Sequence, residues 1–97
     1  MPYLPEAFFC ANDFLALHLM TALKNMGYSV PEDVMVAGFD GSPESAVVSP
    51  GLTTALIPST EIGRLAAELL LKRIANPDSP ILRVYVPTTP VWRASTR

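Results

Sequence analysis

The chain has 97 residues, of which 49% are hydrophobic and 16% charged, with a mean hydropathy of +0.30 and a formal net charge of −2. This length and composition exclude a disordered chain and more than one domain. No cluster of lysines and arginines is present to neutralise phosphates, so the chain itself is not expected to bind nucleic acid. Because so small and apolar a chain has little interior, we expect some apolar side chains to face a partner.

Several further classes of protein are excluded by the sequence. The longest apolar runs, around Phe14–Ala22 and Leu65–Leu71, are too short and too interrupted to span a bilayer. The first residues lack the basic and apolar regions of a signal peptide. Cys10 is the single cysteine, which excludes an internal disulfide and is compatible with the cytoplasm. We therefore expect no membrane contact, no bound metal and no cofactor.

Short apolar runs alternate with helical patterns along the chain. Strands are predicted over Ala7–Cys10, Val34–Phe39, Leu52–Ile57 and Ile81–Val86, with one more apolar piece around Val91–Trp92. Helices are predicted over residues 13–26, Glu44–Val48 and Ser59–Ala75. This alternation is typical of βαβ units, so the sequence predicts an α/β fold with a mostly parallel sheet and flanking helices.

The first long helix has apolar residues at helical spacing, which predict its buried face: Leu15, Leu19, Ala22, Leu23 and Met26. Gly27 follows, at the position where a helix commonly ends in a left-handed residue. Cys10, on a strand, is expected to behave as a small core hydrophobe. Trp92 could cover either the edge of the core or a ring of a ligand, and the core is the favoured interpretation.

Polar residues follow three of the predicted strands. Asn12 comes after the first strand, Asp40 after the second, and the segment Ile57-Pro58-Ser59 after the third. In an open parallel sheet, ligands bind beyond the carboxyl ends of the strands, so these segments are expected to converge on one ligand site. A carboxylate, an amide and a helix N-terminus suit hydroxyl groups or heterocyclic nitrogens.

Each of these polar residues also has a purely local interpretation. Asn12 and Asp13 are good helix N-caps, and Asp13 is favoured as the cap. Asp40 could equally cap the short helix that follows or form a turn with Gly41. Caps, rather than ligand contacts, are the favoured roles of Ser59 and Thr60.

Signals of catalysis are weak throughout. His18, the single histidine, has no nucleophile arranged near it and is expected to be a packed or surface residue. No nucleophile elbow, phosphate loop or dinucleotide fingerprint is present. The sequence therefore predicts no enzyme, and a catalytic flavodoxin-like half-fold is the least favoured alternative.

Five segments, in order and at matching spacing, resemble motifs of the lactose/galactose repressor (LacI–GalR) family. The segments, with the family's wording, are Phe9–Leu17 (ANDxxAxG), Val30–Asp40 (VPxDVxVxGFD), Ser49–Thr54 (xPxLTT), Gly63–Leu70 (GxxAxxxLL) and Arg93–Thr96 (RxST). Any one match alone would be weak evidence, whereas five in register indicate the C-terminal part of the family's effector domain.

The resemblance implies a partial type I periplasmic-binding-protein-like fold, with effector bound between two lobes. Family members are cytoplasmic, dimeric bacterial transcription regulators that sense sugars, nucleosides or purines and bind DNA through a helix-turn-helix domain. By this resemblance the chain is the effector-sensing and dimerisation part of such a regulator, without the DNA-binding domain. The alternative is a fragment of an extracytoplasmic sugar-binding protein of a transporter, which the RxST and VPxDVxVxGFD segments disfavour.

The resemblance also divides the chain between the lobes. Residues 1–57 would belong to the C-terminal lobe, 58–87 to the N-terminal lobe, and 88–97 would return to the C-terminal lobe. Because the helix Ser59–Ala75 would then meet a lobe outside this chain, the isolated chain is expected to bind effector weakly and to form homo-oligomers, unless it is part of a longer chain.

Site residues follow from the same resemblance. Asn12 and Asp40 match two effector-binding positions, and Ile57 stands where the family often has a polar residue, commonly Gln. Gly41 and His18 also depart from the usual residues, which are Asp and Gly. The dimer surface is matched by Leu17 and by the segment Glu44–Val48, including Glu44, Val47 and Val48.

Overall fold

Strands and helices alternate along residues 3–97, the part of the chain that the computed structural model describes. In chain order the elements are β1 (Ala7–Phe9), α1 (Asp13–Asn25), β2 (Met35–Ala37), α2 (Pro43–Val47), β3 (Thr54–Leu56), α3 (Ser59–Ala75), β4 (Thr89–Val91) and a final 3₁₀ turn (Ala94–Thr96). The chain forms two units: residues up to Ile57 with Thr89–Arg97 make the first, and Pro58–Thr88 make the second.

The strands of the first unit are mostly parallel. β1 pairs in parallel with β2, with Phe8 opposite Val36. Two isolated parallel bridges connect β2 and its continuation to β3, at Ala37–Thr53 and Asp40–Leu56. β4 is antiparallel to β3. The predicted α/β fold with a mostly parallel sheet and flanking helices is therefore confirmed.

The core of the first unit forms between α1 and the strands. Its buried apolar side chains are Ala16, Met20, Leu23, Val34, Val36 and Leu52. The buried face of α1 thus begins at Asp13 and continues through Ala16, Met20 and Leu23, at the spacing of one helical stripe. The prediction that Leu15, Ala22 and Met26 belong to this face was wrong, because all three are exposed and the stripe of α1 that contains Asp13 faces the sheet instead.

Both ends of α1 have identifiable stop signals. The Asn12 side chain is the N-cap, and its Oδ1 accepts a hydrogen bond of 2.9 Å from the amide of Leu15. Asp13, which the sequence favoured as the cap, instead lies inside the helix and is buried. The predicted left-handed residue after the helix is confirmed, since Gly27 has a φ of +89°.

The C-terminal segment is held to the sheet by buried side-chain hydrogen bonds. The Arg93 guanidinium donates to Ser45 Oγ (2.6 Å) and to the carbonyl oxygen of Leu52 (2.9 Å). Trp92, between the half-buried Val91 and Arg93, is 77% exposed, so its predicted core position was wrong. Trp92 follows directly after β4, which ends at Val91, and its side chain lies at the surface.

The second unit consists of α3 and the segment after it. Arg64 pairs with Glu61 and Glu68 on α3, and the Arg73 guanidinium donates to the carbonyl oxygen of Ser79. No residue of α3 is buried. Several of its apolar side chains are exposed, among them Leu70, Leu71 and Ile74, while Leu65 and Leu69 are partly buried.

The predicted fourth strand, Ile81–Val86, is absent from the structure, which has no regular secondary structure there. The composition of this segment favours a strand, but a strand needs a neighbouring strand to satisfy its backbone hydrogen-bonding groups. No strand among residues 3–97 pairs with this segment, and Ile81 and Tyr85 are largely exposed. The last strand is instead Thr89–Val91, near the short apolar piece predicted around Val91.

Candidate functional site

The carboxyl ends of three parallel strands bring Asn12, Asp40 and Ile57 to one edge of the first unit. The amide of Asp13 donates to the carbonyl oxygen of Phe39 (3.0 Å), which joins the start of α1 to the end of β2. The amide of Asp40 donates to the carbonyl oxygen of Ala55 (3.0 Å), and the amide of Ile57 donates to that of Asp40 (3.3 Å). The convergence expected from the sequence is present in the backbone.

Asp40 combines an unusual backbone with an available side chain. Its φ is +135°, a region that residues other than glycine adopt rarely and at a cost of about 1–3 kcal/mol. Its carboxylate is exposed and forms no hydrogen bond with any of residues 3–97. The sequence left open whether Asp40 caps the short helix, and the structure answers this because Ser42 is the N-cap of α2.

Asn12 keeps part of its hydrogen-bonding capacity. Its Oδ1 caps α1, but no bond to its Nδ2 is formed by residues 3–97. An amide nitrogen can donate two hydrogen bonds, so Asn12 can cap its helix and still donate to a ligand oxygen. The two interpretations that the sequence set against each other are therefore compatible.

The residue after Asp40 must be small. Gly41 has a φ of +74°, and a Cβ added there would lie 2.6 Å from Leu56 Cδ1 and 2.9 Å from its Cα. Ile57 is half-buried next to this contact. The turn at Gly41 therefore has little space, and the apolar side chain of Ile57 lies beside it. The resemblance implies polar residues at both positions.

Asp13 and Thr54 form a buried polar pair behind this edge. Asp13 is 1% exposed and Thr54 is 3% exposed. The Thr54 hydroxyl donates to Asp13 Oδ1 (2.6 Å) and accepts from the amide of Gly41 (3.1 Å). Asp13 Oδ2 accepts from the amide of Ser42 (2.8 Å). The sequence around Asp13 and around Thr54 did not predict this pair. The only local signal was the polar character of Asn12-Asp13.

The charge of Asp13 is stabilised by neutral donors. Burial raises the pKa of its carboxyl, but hydrogen bonds from Thr54 and from the Gly41–Ser42 backbone outweigh burial and leave the pKa below its ordinary value. Asp13 also lies in the first turn of α1, where the helix dipole favours a negative charge. Asp13 is therefore a buried carboxyl whose lowered pKa comes from neutral hydrogen-bond donors, and it forms no salt bridge among residues 3–97.

The remaining candidates lie away from this edge or play local roles. His18 is exposed and its ring contacts that of Phe14 in a tilted arrangement, with ring centroids 4.5 Å apart, as expected of a surface residue. Cys10 is half-buried against the core, and burial raises the pKa of its thiol. Pro58, rather than a side-chain cap from Ser59 or Thr60, occupies the N-cap of α3.

Two of the residues predicted for the dimer surface, Leu17 and Val48, line a groove of the first unit. The groove has a volume of about 530 Å³, and its walls include Leu17 and Val48. Lys24 and Glu32, of opposite charge, line it too. Glu44 and Val47 are exposed on α2, with 80% of Val47 accessible.

Neither a metal centre nor a membrane span is found in the described part of the chain. Residues 3–97 contain no group of three or more His, Cys, Asp or Glu side chains that could hold a metal ion. Over the same residues, no helix has both the length and the apolar character needed to cross a bilayer.

Comparison with known proteins gives consistent matches over nearly the whole chain. The profile of the periplasmic binding protein-like domain matches residues 1–96. The chain is 36% identical over 93 residues to the lactose operon repressor of Rhizobium radiobacter, covering 96% of this chain and 81% of that protein. It is 43% identical over 74 residues to the HTH-type transcriptional repressor PurR of Aliivibrio fischeri, covering 76% of this chain and 22% of that protein.

Solved structures agree. A LacI family transcriptional regulator from Enterococcus faecium with bound ribose superimposes with a TM-score of 0.85 at 34% identity, covering 98% of this chain and 35% of that one. The chain thus spans about a fifth of the PurR repressor and about a third of the ribose-bound regulator. The relatives named here are transcription regulators, so the transporter alternative is not favoured.

Proposed function

Because this chain belongs to the LacI family of periplasmic-binding-protein-like effector domains, we propose that it senses a small effector for a transcription regulator. The effector is a sugar, a nucleoside or a purine base, and it is held in part by Asn12, Asp40 and the side chain of Ile57. DNA is contacted only by a helix-turn-helix domain outside these residues. The regulator is cytoplasmic and is not an enzyme.

The observation that carries this proposal is the state of Asp40. The Asp40 backbone forms hydrogen bonds with Ala55 and Ile57, and the amide of the next residue, Gly41, donates to Thr54. The Asp40 carboxylate, by contrast, has no hydrogen-bond partner within residues 3–97. Strained backbone of this kind is maintained where the surroundings over-determine it, commonly at binding sites. A carboxylate accepts hydrogen bonds from two hydroxyls, or from ring N–H groups.

The lobe assignment is part of the same proposal. Residues 1–57 and 88–97 belong to the lobe that carries Asn12 and Asp40, and 58–87 to the other lobe. The exposed apolar side chains of α3 and of Ile81 support this, because they need cover that residues 3–97 do not supply. Fully burying one such side chain is worth about 1.5–3 kcal/mol.

A homodimer is the proposed assembly, formed through Leu17, Glu44, Val47 and Val48. The groove between α1 and the segment after α2 supports this surface, since Leu17 and Val48 give it apolar walls. A two-fold interface brings the same patch of both copies together, so Lys24 of one copy can meet Glu32 of the other. Val47, accessible and next in sequence to the groove residue Val48, gives each copy an apolar anchor.

The test is calorimetric titration of the whole polypeptide that carries this chain with D-ribose, lactose, adenosine and guanine. We expect at least one to bind, and we expect Asp40→Asn to weaken that binding by about tenfold or more, the effect of about 1.4 kcal/mol. Glu6→Gln is the control, because Glu6 precedes β1 at the opposite edge of the sheet and is exposed. Absence of binding by all four compounds, or equal effects of the two variants, would refute the proposal.

A further inference from the structure

We propose that Asp13 and Thr54 are positioning residues that hold the Asp40 carboxylate ready for effector. Neither touches the effector in this proposal; they act through the Asp40–Gly41–Ser42 turn. The inference rests on the proposed function of Asp40, and it assigns effector affinity to two buried residues for which the sequence predicted no such role.

The turn that carries Asp40 needs external support. Asp40 and Gly41 both have positive φ, at +135° and +74°, so the conformation is unfavourable in isolation for the first of them. Every amide nitrogen of the turn is engaged: that of Asp40 by Ala55, that of Gly41 by Thr54 and that of Ser42 by Asp13. The exposed Asp40 side chain is therefore the part of the turn that remains available.

Two of those three amides depend on the Asp13–Thr54 pair. Thr54 both donates to Asp13 and accepts from Gly41, so one hydroxyl orients the carboxylate and the turn together. Asp13 engages its second oxygen with Ser42. Hydrogen bonds to an ionised group are about twice as strong as neutral ones, which makes Asp13 well suited to fix a strained turn.

The pair is better explained by positioning than by the stability of α1. Helix capping is already performed by Asn12. Both Asp13 oxygens are directed to residues outside α1, 29 and 41 positions away along the chain. Buried carboxylates are costly, and a helix that needed only an N-terminal charge would be served as well by an exposed one.

Matched variants at Thr54 test the inference. Thr54→Ser keeps the hydroxyl, whereas Thr54→Val keeps the shape and removes it. In the whole polypeptide, with whichever of D-ribose, lactose, adenosine and guanine binds, we expect Thr54→Val to weaken binding about tenfold, the effect of one lost hydrogen-bond network. Thr54→Ser should stay within about twofold of the parent protein.

A double-mutant cycle with Asp40→Asn separates positioning from general destabilisation. If Thr54 acts through Asp40, the Thr54→Val penalty on binding should vanish once the Asp40 charge is removed. Hydrogen exchange provides a ligand-free readout: in Thr54→Val, the amides of Gly41 and Ser42 should exchange faster, while that of Leu23, in the core of α1, is unchanged. Asp13→Asn should repeat both effects.

The outcomes separate this inference from the proposed function. If Asp40→Asn leaves binding of all the compounds unchanged, the proposed function of Asp40 is wrong, and the inference is overturned with it. If Asp40→Asn weakens binding but Thr54→Val does not, or does so equally in the Asp40→Asn background, the proposed function stands and the positioning role is overturned.

Discussion

The Ser95 hydroxyl donates a hydrogen bond of 2.6 Å to the carbonyl oxygen of Val36, which lies 59 positions earlier in the chain. The same Ser95 oxygen accepts a bond of 2.8 Å from the amide of Thr53. Ser95 is fully buried, so neither backbone group can turn to water when the hydroxyl is removed. One side chain thus satisfies the neighbouring backbones of β2 and of the residue before β3.

We therefore expect Ser95→Ala to lower the free energy of unfolding by about 1–3 kcal/mol, the cost of leaving buried backbone groups unsatisfied. Chemical denaturation followed by circular dichroism measures this change. Ser49→Ala is the control, because Ser49 is exposed and its hydroxyl forms no bond within residues 3–97. A Ser95→Ala protein as stable as the control would show that the bonds add no net stability.

Substitution by alanine is expected to have opposite effects on stability at two glycines, Gly38 and Gly63. A Cβ on Gly38 would lie 2.3 Å from Asp13 Oδ1 and 3.1 Å from its Cα, whereas a Cβ on Gly63 meets nothing within 4 Å. We expect Gly38→Ala to destabilise the protein by about 1–3 kcal/mol through overpacking. Gly63→Ala should stabilise α3 by about 0.5–1 kcal/mol, because alanine loses less entropy in a helix.

Thermal unfolding of the two variants measures both changes. The comparison is demanding because the signs differ, so a general effect of added methyl groups cannot produce it. Equal shifts in the melting temperature would contradict the tight contact between Gly38 and Asp13.

The lowered pKa of Asp13 makes the stability of the first unit depend on pH. Its folded-state pKa lies below the ordinary value of about 4, so ionised Asp13 stabilises the folded state fully above that ordinary value. This contribution is lost as the pH falls through the lower, folded-state pKa. We expect the stability difference between the parent protein and Asp13→Asn to shrink as the pH is lowered from about 6 to about 2.

Urea denaturation across that pH range measures the difference. Asp33→Asn is the comparison variant, since the exposed Asp33 accepts one hydrogen bond, from the amide of Ser29. A difference that grows on acidification would mean that Asp13 is stabilised in its protonated form instead.

The proposed dimer predicts that charge at Val47 prevents association. Val47→Glu would place a carboxylate in an apolar contact of each copy, and desolvating that charge without a partner costs several kcal/mol. Sedimentation of the whole polypeptide should then report monomer. Ala22→Glu adds the same charge to an exposed position of α1 outside the groove and should leave the dimer intact. A Val47→Glu dimer would rule out this surface.

Substitution of Ile57 by a polar residue is expected to strengthen effector binding. The resemblance to the LacI–GalR motifs implies that Gln is common at this position, and the Ile57 amide donates to the carbonyl oxygen of Asp40 at the carboxyl edge. We expect Ile57→Gln to strengthen binding of the polyhydroxylated compounds D-ribose and lactose relative to guanine, by about three- to tenfold for one added hydrogen bond. Ile57→Val, which keeps the site apolar, should leave the ratio of affinities unchanged in calorimetric titration.

Local patterns predicted the elements of the first unit because their causes are local. Helix α1 begins after its N-cap, Asn12, and ends shortly before the left-handed Gly27. The apolar run Val34–Phe39 contains β2. Ile81–Val86 failed for the opposite reason. Its composition favours a strand, but a strand exists only where another backbone pairs with it, and sequence composition does not report the partner.

The convergence of Asn12 and Asp40 at one edge was predictable, and the contacts behind that edge were not. The rule that ligands bind at the carboxyl ends of parallel strands predicts both residues at the same edge, as the backbone bonds show, whereas their contact with an effector stays a prediction. The Asp13–Thr54 pair escaped because its two members are 41 positions apart and each has an ordinary local explanation. Trp92 was misjudged for a related reason: it lies just after β4, and its surroundings depend on how the chain continues from the pairing of β4 with β3.

The antiparallel pairing of β3 and β4 has a consequence for the exchange of segments. Leu56 and Thr89 are paired residues at the ends of these strands, so the chain leaves the first unit and re-enters it at adjacent points. The intervening segment is topologically an insertion in a β-hairpin, and a tight two-residue turn could join the same two strands. Lengthening, shortening or replacing that segment therefore changes a hairpin loop, while the register that positions Thr53, Thr54 and Arg93 is kept.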